Sequence, residues 1–224
     1  MPEYSQIQTY LKCDQKNFKE IILHFSNVLK SLSLESKYFS PELEYEVSDN
    51  GFMYVGGDAE SQIFDYNEHP FHIRPYVMGW TPKAISELEE SWLEVSLLFW
   101  TEEIELDYRT GQLKDEIKSL VWSMLSKFSE EFKQTGVYFT NEVTDGIPWE
   151  AVVCSKKDEV WAFDAAILPA HLFDVYKDGY EEMFIYTNDN NTLYAARKSV
   201  WSIEPWLDDC TINEEQEPAT GNVD

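Results

Sequence analysis

The sequence predicts an α+β fold in which a largely antiparallel β-sheet packs against two or three amphipathic helices. Residues 14–34 and 113–132 carry apolar side chains at helical spacing, whereas the last third contains short β-prone runs separated by turn-forming residues. The 224 residues are 43% hydrophobic and 15% aromatic, which is enough apolar material for a sizeable core. Residues 1–207 are therefore expected to form one globular domain, with a division into two lobes near residues 109–111 as the alternative.

The first two predicted elements are a helix and a β-hairpin. The helix covers residues 14–34 with Asp14 as its N-cap, because its apolar positions recur every three or four residues: Phe18, Ile21, Ile22, Phe25, Leu29 and Leu32. In the hairpin, LEYEV (residues 43–47) alternates apolar and acidic side chains, DNG (49–51) supplies the turn, and FMYV (52–55) forms the second strand. The outward face of this hairpin is expected to be acidic.

The middle of the chain is predicted to contain a short helix, strands and a long helix. Residues 81–92 form the short helix, because a threonine cap and a proline precede apolar positions at helical spacing. From about Val95 the period changes to two, which predicts strands whose outward side chains include Glu103, Glu105 and Asp107. A broad apolar stripe over residues 113–132 predicts the clearest helix, with Gly136 beyond its end.

The last third is predicted to be antiparallel sheet followed by a tail. Its β-prone runs are VYFTNEV, WEAVVC, EVWAFDAAIL, MFIYT and TLYAAR, and the intervening TDGIP, SKKD and NDNN have turn compositions. Residues 208–224 contain six acids, no base and no periodicity, so they are expected to form a disordered acidic tail.

The acidic composition narrows the class of partner. The chain has 42 acidic and 17 basic side chains, a net charge of −25 and a pI near 4.3. Such a charge repels nucleic acid and anionic membranes, and it attracts basic proteins or cations. The chain starts without an apolar signal core and has no run of ~18 apolar residues, and its three cysteines, Cys13, Cys154 and Cys210, lie far apart. A soluble cytoplasmic protein with reduced thiols is therefore expected.

No catalytic or cofactor motif stands out, so the sequence predicts neither a catalytic residue nor a cofactor. The VGGD stretch at residues 55–58 lacks the glycine spacing and the lysine of a phosphate-binding loop. His69 and His72 are the candidate metal ligands, although the proline between them excludes a regular helix. Cys154 is expected to be a packed side chain in a strand, not a nucleophile. Asp164, in AFDAAIL, is the acid expected to be buried, as a capping or sheet-end carboxylate.

The densest acidity lies in ISELEESWLEVSLLFWTEEIELD (residues 85–107), where eight carboxylates are interleaved with apolar side chains and no lysine or arginine occurs. The short helix and the strand after it are expected to contribute to one negative face. The candidate partner-binding residues on this face are Glu87, Glu89, Glu90, Trp92, Glu94, Glu102, Glu103, Glu105 and Asp107. A solvated face that only maintains solubility is the alternative, and Trp92 is either an aromatic anchor or a core residue.

Charge and composition favour an acidic binding protein of the inhibitor, immunity or anti-defence type. Its carboxylates, which mimic nucleic-acid phosphates, are expected to hold a basic protein such as a toxin or a DNA-binding protein. The chain resembles immunity proteins in size, acidity and expected cytosolic character alone. A hydrolase that uses carboxylates or histidines, and a structural or assembly protein, are the two alternatives.

Overall fold

The computed structural model describes residues 4–34, 36–55, 59–66, 69–107, 109–154 and 160–207. The strands within them are β1 (Tyr4–Lys12), β2 (Phe52–Met53), β3 (Gln62–Tyr66), β4 (His69–Trp80), β5 (Trp92–Trp100), β6 (Glu105–Asp107), β7 (Gln112–Leu113), β8 (Val137–Thr140), β9 (Ala165–Leu168), β10 (Met183–Thr187) and β11 (Leu193–Arg197). The helices are α1 (Phe18–Ser31), α2 (Thr101–Ile104), α3 (Asp115–Glu131), α4 (Ile147–Val152), α5 (Phe173–Tyr176) and α6 (Lys198–Trp201). A short 3-10 turn, Ala170–Leu172, precedes α5.

One large antiparallel sheet organises the fold, which confirms the α+β prediction. Its order is β10-β11-β9-β8-β1-β5-β4-β2, and β3 also pairs with β4. β6 and β7 form a separate two-stranded pair. Strands from both sides of residues 109–111 enter the large sheet, because β8 pairs with β1. The predicted tail at 208–224 lies outside the described residues. Among the described helices, none has the length and apolar character to cross a membrane.

The central strand β1 was not predicted, because its sequence lacks the usual alternation of apolar and polar side chains. It pairs with β5 along residues 4–12 and with β8 on its other edge. Polar side chains within it are nevertheless fully buried, as at Gln8, whose Nε2 atom donates to Thr140 Oγ1 at 2.8 Å. Buried polar groups are tolerated when they are hydrogen-bonded, so a strand buried on both faces can contain many polar residues in its sequence.

The two long helices cover one face of the sheet as predicted. α3 buries Ile117, Leu120, Met124 and Phe128 in the main core, together with apolar side chains of α1 and the sheet. α1 begins at Phe18, because the Asp14 carboxylate is used in the preceding turn, where Oδ1 accepts from the backbone N–H of Lys16 at 2.7 Å. The expected N-cap at Asp14 is therefore wrong.

A second core covers the opposite face of the sheet, on the side of α4 and α5. It contains Tyr10, Trp92, Trp149, Trp161, Phe163 and Tyr176 among its buried aromatic residues. Trp149 of α4 meets Tyr10 at a ring-centroid distance of 5.2 Å and Trp92 at 5.9 Å. Aromatic rings at such distances contribute beyond the area they bury. This second layer is built mainly from short helices and turns, which periodicity over long windows does not reveal.

Four other predicted elements are wrong. The strand pattern predicted to continue past Trp100 is interrupted, because Thr101–Ile104 form α2 and only Glu105–Asp107 return to a strand. Residues 82–91 form turns, although Thr81 acts as expected: its Oγ1 atom accepts from the Lys83 N–H at 3.2 Å. The helix cannot reach Trp92, because β5 starts there and pairs on both sides. WEAVVC belongs to α4, not a strand, since Gly146 (φ 77°) and a proline in the first turn open a helix. LEYEV forms no strand, so the predicted hairpin lacks its first strand.

Candidate functional site

The nine acidic-stretch residues divide into exposed and buried positions. Glu87, Glu89, Glu90, Glu102 and Asp107 are exposed and Glu103 is half-buried, whereas Trp92, Glu94 and Glu105 are buried. Ser5 donates its hydroxyl to Glu105 Oε1 at 3.0 Å, so this carboxylate has a structural partner inside the protein. Trp92 is a core residue, packed edge-on against Trp149. The expectation that Glu94 and Glu105 point to solvent is therefore wrong.

The exposed members of this set do not form one negative face. Glu87, Glu89 and Glu90 precede β5, and the remaining exposed acids follow it. A strand rises about 3.3 Å per residue, so the nine residues of β5 separate the two groups by roughly 27 Å. Glu90 also forms an ion pair with Lys12. Contact between these acids and a partner stays a prediction, but the single surface expected from the sequence is wrong.

The two candidate metal ligands lie at the start of β4. His72 places Nδ1 2.7 Å from Glu103 Oε1 and stacks on Trp100 at 3.7 Å between ring centroids. His69 lines a neighbouring depression together with Glu102 and Lys114. Within the described residues there is no group of three or more histidine, cysteine, aspartate or glutamate side chains that could hold a metal ion. His72 and Glu103 therefore form a polar contact near the start of β4, where this strand pairs with β3.

Asp164 is buried, as predicted, and sits directly before β9. Its Oδ2 atom accepts from the Asn141 amide at 3.0 Å, and Oδ1 lies 3.3 Å from Arg197 Nε. Burial raises the pKa of Asp164 to about 6, and the Arg197 charge opposes that rise. Arg197 also donates to the carbonyl oxygens of Trp161 and Phe163, so this ion pair joins β9 to β11 as a structural sheet-end contact.

The cysteines give no sign of a nucleophilic site within the described residues. Burial, followed by the charge of Asp14, raises the pKa of Cys13 to about 12, so its thiol stays protonated. Cys154 is half-buried at the end of α4, packed beside the second core. Cys210 lies outside the described residues.

A cleft lies where the predicted hairpin fails to close. The turn itself forms, because the Ser48 N–H donates to the Phe52 carbonyl at 2.9 Å and Gly51 takes a left-handed φ of 88°. Beyond this turn the two arms separate. On one arm, residues 44–47 make no backbone hydrogen bond with another described residue. On the other arm, β2 is the last strand in the sheet order, so only one of its edges has a strand neighbour.

The cleft between these arms is acidic and partly aromatic, with a volume of about 500 Å³. Glu42, Glu44 and Glu46 line it and are exposed, and no lysine, arginine or histidine of the described chain joins them. On the β2 side, the rings of Phe52 and Tyr54 stack at 5.9 Å, and Tyr54 is 58% exposed. The cleft therefore offers negative charge, aromatic faces and, along residues 44–47, backbone groups that bond to no other described residue.

The chain matches no protein-family model, and comparisons with curated proteins and with solved structures give no match. Function must therefore be inferred from this chain's own residues. The alternating LEYEV run and its DNG turn correctly indicated an acidic segment beside a turn. Sequence pattern could not show that the arms separate, because that depends on β2 pairing with β4 and on Leu43 and Tyr45 packing against the main core.

Proposed function

We propose that the protein is an acidic binding protein whose cleft holds an extended, lysine- or arginine-bearing segment of a basic partner protein. The observation that carries this proposal is the glutamate-bearing stretch 44–47, which makes no backbone hydrogen bond with another described residue, facing an arm on which Tyr54 makes none either. On the β2 side the Phe52 carbonyl already accepts from Ser48, so the groups open to an added strand are those of Tyr54 on one wall and of residues 44–47 on the other. The proposal moves the docking surface from residues 85–107 to residues 42–55.

Backbone pairing supplies the first part of the interaction. An unpaired strand edge is a template for another extended chain, and many peptide-binding domains use it in this way. A segment in the cleft would lie about 4.8 Å from the arm of residues 52–55 and could hydrogen-bond to the backbone of Tyr54, beyond the Phe52 carbonyl that Ser48 occupies. Residues 44–47 make no backbone hydrogen bond with another described residue, so their backbone groups could pair with the opposite edge of the same segment. The inserted segment would then complete the arrangement that the hairpin leaves open.

Charge supplies the second part and sets the partner class. The net charge of −25 steers a basic protein toward the surface, and Glu42, Glu44 and Glu46 meet its cations at the cleft. Alternate side chains of an extended segment point to the same side, so a lysine or arginine at every second position faces the same wall. Tyr54 adds an exposed ring to which an arginine or lysine can bind by cation–π contact.

A more specific form of the proposal is inhibition of a toxin or nucleic-acid-binding protein. A basic protein that binds phosphates presents lysine and arginine side chains, and carboxylates in the cleft would occupy them in place of phosphate. The acidity of the chain supports this form. Electrostatic steering would make association fast and sensitive to salt.

Binding can be tested with a fluorescein-labelled nonapeptide of alternating lysine and threonine, followed by anisotropy at low salt. A cleft variant, Glu42→Gln with Glu44→Gln and Glu46→Gln, should bind at least about tenfold more weakly, since it loses three carboxylates near the peptide cations. The matched control is Glu89→Gln with Glu102→Gln and Glu142→Gln, which changes the net charge equally at exposed positions elsewhere.

The backbone contribution is tested with the same peptide N-methylated at every second residue. N-methylation keeps the charges of the peptide and removes backbone hydrogen-bond donors. At the same salt concentration, the N-methylated peptide should therefore bind more weakly than the unmodified one. Equal weakening by the cleft variant and the control variant would reduce the interaction to net charge and overturn the cleft proposal. Unchanged affinity of the N-methylated peptides would overturn the strand-addition step.

A further inference from the structure

A second acidic site lies inside the protein, on the sheet face opposite α1 and α3. We propose that Glu94 and Asp145, together with the hydroxyl groups of Tyr10 and Ser96, bind the primary ammonium group of a small amine. This inference does not depend on the cleft, because it rests on different residues and on a different face of the sheet.

Strand register brings these groups together. Glu94 of β5 lies opposite Tyr10 of β1 and Met78 of β4. Ser96 follows Glu94 by two residues, so its side chain lies on the same face of β5. Asp145 comes from the loop after β8 and accepts a hydrogen bond from the Gln6 side-chain amide of β1. Asp145 is exposed as a residue, whereas Glu94 is only 8% exposed, so the pair extends from the surface to a buried carboxyl.

The electrostatics of the pair call for a cation. Burial and, second, the nearby charge of Asp145 raise the pKa of Glu94 to about 8. Desolvation of its inward-facing carboxyl also raises the pKa of Asp145, although its exposure limits the effect. No basic side chain of the described residues stabilises either carboxylate. Of the nearby bases, Arg74 faces Tyr76 and donates to the Ala59 carbonyl at 2.9 Å, and Lys12 pairs with Glu90.

Two buried hydroxyl groups supply an independent sign of a ligand. Tyr10 and Ser96 are fully buried, and their hydroxyl oxygens make no hydrogen bond within the described structure. The Ser96 hydroxyl lies close enough to the Glu94 carboxyl to lower the pKa of that carboxyl. Burial and then Glu94 and Asp145 raise the pKa of Tyr10, and the nearby Trp149 backbone lowers it, so the phenol lies between the two carboxyls and α4. Buried polar groups without partners are uncommon in proteins, and here two of them flank one carboxyl.

The chemistry of this site fits a primary ammonium group better than a metal ion. An ammonium group carries three N–H donors, which match acceptors on Glu94, Asp145 and a hydroxyl oxygen. Trp149 packs against Tyr10 at 5.2 Å and against Trp92 at 5.9 Å, which places aromatic rings beside Glu94. Aromatic rings attract organic cations. Hard metal ions usually take six or more oxygen ligands, and only two carboxylates are present here.

Binding of the ammonium group should be coupled to proton release. At neutral pH Glu94 holds a proton, because its pKa is about 8. The bound cation favours the carboxylate, so the Glu94 proton passes to the buffer as the ammonium group enters. Affinity should therefore rise with pH up to about 8, as the proton competes less.

The test uses n-butylammonium as the probe, titrated into the full chain by calorimetry and followed by backbone amide NMR shifts. The expected result is saturable binding, with release of close to one proton at pH 7 measured in phosphate and HEPES buffers. Glu94→Gln should weaken binding more than tenfold, Asp145→Asn should weaken it severalfold, and the exposed control Glu89→Gln should leave it unchanged. Tetramethylammonium has the same charge without N–H donors and should bind much more weakly.

Several results would overturn the inference. These are no saturable binding, equal binding of tetramethylammonium, tighter binding of Ca²⁺ than of n-butylammonium, or unchanged affinity in Glu94→Gln. The triple glutamine variant of the cleft separates this site from the proposed docking site. It should bind n-butylammonium normally, and loss of binding there would place the amine in the cleft and overturn the inference.

Discussion

Replacing Glu94 by glutamine should change how the stability of the protein depends on pH. Glutamine has nearly the same shape and cannot ionise, so the substitution removes one buried carboxyl and little volume. In the folded protein the pKa of Glu94 is about 8, whereas the ordinary value of 4.5 applies to the unfolded chain. The folded state therefore holds a proton that the unfolded state releases. Stability from this group is fully present below pH 4.5 and is lost as pH rises through 8.

The magnitude follows from the difference between these two pKa values. Each pKa unit corresponds to about 1.4 kcal/mol, so a change from 4.5 to about 8 sets an upper limit near 5 kcal/mol above pH 8. Between pH 5 and pH 8 the native protein should lose about 3.5 kcal/mol relative to Glu94→Gln. A domain is stable by only about 5–15 kcal/mol, so this loss is large enough to measure.

Urea unfolding at pH 5, 6, 7 and 8 measures this difference directly. The free energy of unfolding should fall with pH in the native protein more steeply than in Glu94→Gln, with similar denaturant slopes in both. Glu89→Gln is the control, because Glu89 is exposed and its substitution should follow the native curve at every pH.

A constant difference between the native protein and Glu94→Gln, within about 0.5 kcal/mol from pH 5 to 8, would refute this reasoning. It would mean that the Glu94 carboxyl ionises at its ordinary pKa in the folded protein. The electrostatic basis for the ammonium site would then be lost as well. If the pH-dependent difference is smaller than expected and disappears when Asp145→Asn is added to both proteins, the raised pKa of Glu94 comes mainly from the charge of Asp145 and not from burial.

Three further substitutions test the fold. Arg197→Met should lower the free energy of urea unfolding by about 3 kcal/mol, because it leaves the Asp164 carboxyl buried beside no cation. The folded pKa of Asp164 should then rise further, so the loss should be larger at pH 8 than at pH 5. Trp92→Ala should cost about 3–5 kcal/mol by the same assay, since Trp92 is a core residue and not a surface anchor. Glu105→Lys should lower the free energy of unfolding by several kcal/mol, because it places a new charge at a buried position. Glu89→Lys, at an exposed position, should change it by no more than about 0.5 kcal/mol. Thermal unfolding followed by circular dichroism compares the two, and a larger loss in Glu89→Lys would contradict this placement.

The elements that sequence reasoning found are those with a long, regular apolar pattern. α3 carries its stripe over 17 residues, and the pairing of β10 with β11 follows two β-prone runs around an asparagine-rich turn. Tertiary context overrode local pattern elsewhere. The threonine and proline before residues 82–91 began a turn that could not continue, because β5 begins at Trp92.

Two missed features, the strand β1 and the burial of Glu94, share a physical cause, which is polar side chains placed inside the protein. β1 contains Gln6 and Gln8, and their amide groups bond to Asp145 and Thr140 across long sequence separations. Glu94 lies in an acid-rich stretch, and nothing in its neighbours marks it as the buried member. Sequence pattern shows how many polar groups a segment has, but partners more than a hundred residues away decide which of them can be buried.

The two proposed sites should respond differently to salt, because burial controls how strongly mobile ions screen a charge. The Debye length is about 8 Å at physiological ionic strength, so the exposed carboxylates of Glu42, Glu44 and Glu46 act through a well-screened medium. Glu94 lies beneath the surface, where screening is weak. Peptide binding in the cleft should therefore weaken steeply between 50 and 500 mM salt, whereas n-butylammonium binding should change much less. Equal salt dependence of the two would mean that both cations bind to the same exposed acids, and the distinction between the buried and the surface site would not hold.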